Sequence, residues 1–202
     1  MPFKDDAIAF SAWGELKATG VAPYGSLPFM TLADGTKIGQ TRSIQRLVGK
    51  CTSLYPEDPI QASHIDAICD AADDLVSFTN PAGQGLEQEA KEAARLAVAS
   101  EGGKTHSLLK HVNAQIEALG SNGFCVGDGL TMADLSLFVM TGMLASGFFD
   151  GVPTTVCDEF AAIQKVRKTV GSLPEVMAWY DDDESYHAQS APGKVLKACR
   201  DI

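Results

Sequence analysis

The chain has 202 residues, 45% of them hydrophobic and 21% charged, enough for one substantial core or for a small domain joined to a larger one. Its formal net charge of −10, pI of about 4.7 and lack of any Lys/Arg run argue against nucleic acid or anionic membrane as partners. No apolar run reaches the ~18 residues that would span a bilayer, and the acidic start Met1-Pro-Phe-Lys-Asp-Asp6 fits neither a signal nor a transit peptide.

These features predict a cytoplasmic protein. Five cysteines at 51, 69, 125, 157 and 199 are widely spaced and form no CxxC. The four histidines lack the i,i+4 spacing of a metal pair, so the thiols are expected reduced and buried, with no zinc.

In chain order, Phe3 to Phe10 reads as a strand. Ser11 stands as an N-cap before a short helix through Lys17 that Gly20 ends. Phe29-Met-Thr-Leu and Thr36-Lys-Ile flank Asp34-Gly35, the signal of a hairpin with a two-residue turn. A helix follows over Thr41–Val48, with Gly49 just past its end. Tyr55-Pro-Glu-Asp-Pro59 interrupts regular structure, which predicts domains at 1–50 and 60–202 joined by a linker at 51–59.

Beyond Pro59 the apolar period becomes helical. Ile65, Ile68, Cys69, Ala72, Leu75 and Val76 form one stripe. Asn80-Pro-Ala-Gly-Gln-Gly85 breaks it, and helices are expected over Leu86–Ser100, Thr105–Leu119, Thr131–Ser146, Asp158–Val170 and Pro174–Trp179. Thr131-Met-Ala-Asp134 has the form of a capping box, with Leu130 and Leu135 as its hydrophobic staple. Asp181-Asp-Asp-Glu184 reads as a solvated loop.

Five local motifs, in order, narrow this α+β plan. Trp13-Gly-Glu-Leu-Lys17, Gly25-Ser-Leu-Pro-Phe29 and Gln40-Thr-Arg-Ser-Ile-Gln-Arg46 resemble the thioredoxin-like domain of sigma-class glutathione transferases. That group includes the glutathione-dependent prostaglandin D synthases and the S-crystallins. Ile65-Asp-Ala-Ile-Cys-Asp-Ala-Ala-Asp-Asp74 and Phe124-Cys-Val-Gly-Asp-Gly-Leu-Thr-Met-Ala-Asp134 resemble its all-helical C-terminal domain.

The resemblance implies a glutathione site. Leu27-Pro28 would be cis, presenting the Leu27 backbone to the ligand, with Gly25 and Ser26 beside it. Gln40 and Thr41 would receive the γ-glutamyl end at a helix start, where free N–H groups favour a carboxylate; Thr41 would also serve as N-cap. Trp13 and Lys17, one helical turn apart, would face the glycyl end. Between Lys17 and Pro28 roughly two residues are extra relative to the family. Asp66, Asp70, Asp73 and Asp74 share a helix side, in bland terms a polar face. By resemblance, Asp74 would reach the glutathione of a second copy, and positions matching Asp70 and Asp73 lie where Mg²⁺ or Ca²⁺ binds at a dimer interface.

In the family a Tyr or Ser hydroxyl just after the first strand favours glutathione thiolate over thiol. Phe3–Phe10 matches the second strand, so the thioredoxin-like domain is expected to lack its first strand and helix, roughly 25–30 residues. The expected origin is an incomplete gene model or a truncated isoform. Tyr24, Ser11, Ser26 and Ser43 do not match the activating position, and no catalytic residue is assigned.

The expected function is a homodimeric transferase joining glutathione to small hydrophobic electrophiles, or isomerising them. A glutathione-binding protein without turnover, like the S-crystallins, is the alternative; a dimerising interaction module is the third. Leu109, Val112 and Ile116 are candidate lining for the electrophile.

Overall fold

The computed structural model describes residues 10–181. The chain divides into two compact units, Met1–Pro56 and Glu57–Ile202. The strand expected over Phe3–Phe10 lies outside the described residues except for Phe10, which opens a helix.

In the first unit, α1 (Phe10–Ala18) stops where Thr19 Oγ donates to the Leu16 carbonyl at 2.7 Å and Gly20 takes φ +70°. Ser11 therefore sits inside α1 rather than capping it. Strands β1 (Phe29–Thr31) and β2 (Lys37–Gly39) pair antiparallel, Phe29 opposite Gly39, Met30 opposite Ile38 and Thr31 opposite Lys37.

The hairpin loop is longer than the two-residue turn expected from Asp34-Gly35. Gly35 N–H donates to the Leu32 carbonyl at 2.9 Å, and Leu32 N–H to that of Thr36 at 2.8 Å. Asp34 Oδ1 accepts the Thr36 N–H, and Gly35 lies at φ +86°. This is a turn continued by a left-handed bulge residue, the commonest three-residue hairpin. The same bond draws the Asp34 carboxyl below its usual range.

Helix α2 (Thr41–Cys51) also outruns its expected end at Gly49. The Leu54 N–H reaches the Gly49 carbonyl at 2.9 Å and Ser53 takes φ +62°, a Schellman stop with serine where glycine is usual. Gly49 is the third residue from the helix end, and it is buried.

The second unit is helical: α3 (Pro59–Thr79), α4 (Gln88–Ala99), α5 (Lys104–Leu119), α6 (Met132–Ala145), α7 (Ala161–Gly171) and α8 (Pro174–Asp181). Asp58 caps α3 by accepting the Gln61 N–H at 2.7 Å, with Pro59 in the first-turn position that needs no donor. The α3 stripe is buried as the periodicity requires, except that Val76 is half-buried and Thr79 continues the buried row. Thr79 Oγ meets Thr105 Oγ at 3.0 Å, so α3 and α5 join through a satisfied polar pair.

Helix α6 packs most extensively on α3, and also on α7. Thr131 and Asp134 form its capping box, Asp134 Oδ2 accepting the Thr131 N–H and Oγ–H at 2.7 Å each. Gly103 joins α4 to α5 where a Cβ would strike the carbonyls of Ala97 and Val98.

The expected start of α7 at Asp158 is corrected to Ala161. The residues before it form turns, and the cap comes from a distant helix: Asn113 Oδ1 on α5 accepts the N–H groups of Ala162 (2.9 Å) and Ile163 (3.3 Å). Two orphan donors are thereby satisfied from outside the helix's own sequence. Asn113→Ala should lower unfolding free energy by about 1–2 kcal/mol in urea titration. Ser53→Gly should instead raise it by about 0.5–1 kcal/mol, because the left-handed φ ceases to strain the backbone.

Candidate functional site

The first unit places most of the glutathione-binding residues expected from sequence along one run of backbone. Trp13 is half-buried and Lys17 exposed on α1. The Val21–Ser26 loop carries Gly25 at φ +64°, its turn closed by the Gly25 N–H on the Ala22 carbonyl at 3.0 Å. Lys17 Cε lies 3.9 Å from where a Cβ on Gly25 would stand, so the lysine stem rests against this loop.

Ser26 is exposed, Leu27 is 43% exposed, and the Leu27–Pro28 bond is cis. The chain then enters β1, turns, returns along β2 and reaches Gln40. Gln40, not Thr41, is the N-cap of α2. It has φ +72° and ψ +119°, outside the well-populated regions for a residue with a Cβ. Its side chain makes no capping bond.

An α-helix start leaves its leading N–H groups without intrahelical partners. Ile44 N–H returns to the Gln40 carbonyl at 3.1 Å. The N–H groups of Thr41, Arg42 and Ser43 precede that first bond, with the positive end of the helix dipole behind them. Such a terminus suits a carboxylate. The exposed Thr41 hydroxyl stands at this mouth.

Among the remaining hydroxyls, Tyr24 lies against Gly39, and Ser26 and Ser43 are exposed. Ser11 belongs to α1. Sequence reasoning missed the left-handed backbone of Gln40 and the contact of Tyr24 with Gly39. The only signal for the second was a glycine directly before the helix.

In the helical unit Asp74 and Asp70 are exposed on α3, and Asp66 and Asp73 half-buried. Among the described residues no group of three or more His, Cys, Asp or Glu side chains is placed to hold a metal ion. An apolar groove of about 190 Å³ runs between α3 and α5, lined by residues including Ala67, Ile68, Leu108, Val112 and Leu119. Leu109 and Ile116, expected to line a substrate pocket, are core residues with 0% and 5% exposure; Val112 alone of the three borders the groove.

Cys69, Cys125 and Cys157 are buried free thiols, whereas Cys51 is exposed at the end of α2. No described helix is long and apolar enough to cross a membrane.

Comparison with known proteins matches residues 78–183 to the glutathione S-transferase C-terminal domain. Glutathione S-transferase 4 of Caenorhabditis elegans is 27% identical over 181 residues, covering 87% of this chain and 82% of the relative. Hematopoietic prostaglandin D synthase of Gallus gallus is 27% identical over 177 residues, covering 88% and 81%. Among solved structures, a monomeric glutathione S-transferase from the hookworm Necator americanus superposes with a TM-score of 0.74 at 22% identity, covering 91% of this chain and 86% of that one. The rat hematopoietic prostaglandin D synthase bound to a quinoline gives 0.71 at 22%, covering 89% and 83%. The structural likenesses establish the fold, a small thioredoxin-like unit followed by the helical domain, and the matched domain covers more than half of the chain. The chain belongs to the glutathione S-transferase family.

Proposed function

We propose that this protein is a sigma-type glutathione transferase, cytoplasmic and homodimeric, whose first unit holds glutathione in an extended pose. Lys17 takes the glycyl carboxylate by charge and Trp13 by its indole N–H. The Leu27 backbone, beside Gly25, Ser26 and Pro28, pairs with the cysteinyl residue. Gln40 and Thr41 receive the γ-glutamyl carboxylate at the start of α2. Asp74 of a second copy contacts the γ-glutamyl ammonium group.

The observation that carries this reading is the start of α2. Its N-cap holds a backbone conformation costing about 1–3 kcal/mol, and its side chain does no capping. A helix start of this kind, with the positive end of its dipole at the mouth, suits a carboxylate. The order of the matching motifs adds independent support, as do relatives named as glutathione transferases and prostaglandin D synthases.

The chemistry is transfer of the glutathionyl group. The glutathione thiolate attacks an electrophilic carbon, a C–S bond forms, and the bond to a leaving group such as chloride breaks. The thiol proton passes to solvent. Holding both ends of the tripeptide fixes the sulfur, which supplies the orientational part of the rate. The hydroxyl that activates the sulfur is assigned to no residue of this chain, and no metal ion enters the proposal. The homodimer is part of the proposal, although the hookworm relative is described as monomeric.

Calorimetric titration with reduced glutathione should show saturable binding, and the free dipeptide Cys-Gly should fail to compete. Lys17→Ala and Thr41→Val should each weaken binding about 10-fold, the scale of one lost charge-assisted or helix-terminal contact. Absence of any glutathione binding would sink the reading; binding without conjugation of a chlorinated nitrobenzene would reduce it to a glutathione-holding protein.

Gln40→Gly tests the strained position from the other side. Glycine adopts positive φ freely, so the variant should gain about 1 kcal/mol in urea unfolding while losing affinity for glutathione. A variant neither more stable nor weaker in binding would contradict the role given to this residue.

A further inference from the structure

Between Lys17 and Pro28 lies a loop that touches elements on both sides. On one side the Lys17 stem rests against Gly25. On the other, Tyr24 Cδ2 and Cε2 come within 2.7 and 3.2 Å of where a Cβ on Gly39 would stand, with Pro23 Cβ at 3.8 Å. Gly39 is buried although Tyr24 itself is 66% exposed. The ring thus lies against β2's last residue, and a side chain at 39 would push it aside.

The next residue is Gln40, held at φ +72°. A sparsely populated backbone conformation persists only where its surroundings over-determine it. One support is the Ile44 N–H bond to the Gln40 carbonyl. The aromatic cover on Gly39 is a further contact at this corner.

We propose that Tyr24 is a positioning residue for glutathione: its ring, seated on Gly39, clamps the Val21–Ser26 loop to the start of α2. This inference rests on the glutathione-binding reading and deepens it. Lys17 and Gly25 on the loop side, and Gln40 and Thr41 on the helix side, serve opposite ends of the tripeptide. A clamp between them sets their spacing before the ligand arrives, and the ordering cost of binding falls accordingly. Ring carbons make the contact, so the hydroxyl is dispensable.

Three variants test this: Tyr24→Ala, Tyr24→Phe and Gly39→Ala. Titration with reduced glutathione should show Kd raised about 10-fold in Tyr24→Ala and Gly39→Ala, with Tyr24→Phe within about twofold of the parent. In the ligand-free protein, amide exchange at Gly39–Arg42 should accelerate about 10-fold in Tyr24→Ala while Leu47–Cys51 and α3–α7 keep their protection.

If the parent binds glutathione and Tyr24→Ala binds it equally well, or exchanges no faster at 39–42, the clamp is refuted while the glutathione reading stands. A parent that does not bind refutes both. Loss of affinity accompanied by a halved mass in sedimentation would also overturn the proposal, because Tyr24 would then act through a second copy. Should Gly39→Ala fail to fold, the contrast between Tyr24→Ala and Tyr24→Phe still decides.

Discussion

The helical unit depends on one enclosed carboxylate. Helix α6 is apolar on nearly every side, so burial alone does not decide where it begins or which face meets which neighbour. Asp134, with no exposed surface, decides the first of these. Its Oδ2 takes the Thr131 N–H and Oγ–H, and its Oδ1 takes the Cys125 N–H at 2.6 Å. Three donors make a buried charge tolerable that would otherwise be expensive. Because Cys125 lies in the turn linking α5 to α6, the same carboxylate ties the end of one core helix to the start of the next. The Cys125 thiol beside it is pushed up far beyond the ordinary thiol range, chiefly by burial and then by the Asp134 charge. Both causes favour the protonated thiol.

What could be read from the sequence follows from how local each determinant is. The α3 stripe and the Thr131–Asp134 box are written within a turn or two of where they act, and they were legible; Asp58-Pro59, which starts α3, was read only as part of a linker. The start of α7 was not, because its cap is Asn113, 49 residues from Ala162. The hairpin was legible in position but not in form. Asp-Gly signals a turn, while the bulge depends on how Leu32 and Thr36 pair across it. The end of α2 was misplaced because glycine was taken as the stop; serine takes the left-handed position four residues later. The residues of the candidate site were named through family resemblance, and of their geometry the cis Leu27–Pro28 bond was expected. The backbone of Gln40 was not, since no propensity places glutamine at φ +72°.

The two units keep their shape by different means. In the helical unit the core is built by burial: Ile65, Leu75, Leu109, Leu137, Leu144 and Ile163 are all essentially inaccessible to solvent. In the first unit only Ala22, Gly39 and Gly49 are buried among the described residues. Shape there rests on backbone devices: left-handed residues at Gly20, Gly25, Gly35, Gln40 and Ser53, and the cis bond before Pro28. Such devices determine direction over a few residues while burying little. They suit a surface that must present backbone groups to a ligand, because amides aimed outward cannot also serve a ladder or a core.

Gln40 is where these two demands meet. Were direction the only requirement, glycine would serve better at this φ. Glutamine there carries strain, makes no capping bond, and stands next to three leading amides of α2. No capping bond from the side chain offsets that backbone cost. A polar amide held at the mouth of a helix terminus, making no capping bond itself, fits the proposed role as a partner for a ligand. On the proposed reading a small carboxylate-bearing molecule suits this point better than an apolar one, since the helix dipole rewards negative charge there. The strain is thus the physical link between the fold and the proposed chemistry. On that reading, a backbone conformation that weakens the isolated unit is retained because it holds Gln40 at the mouth of α2.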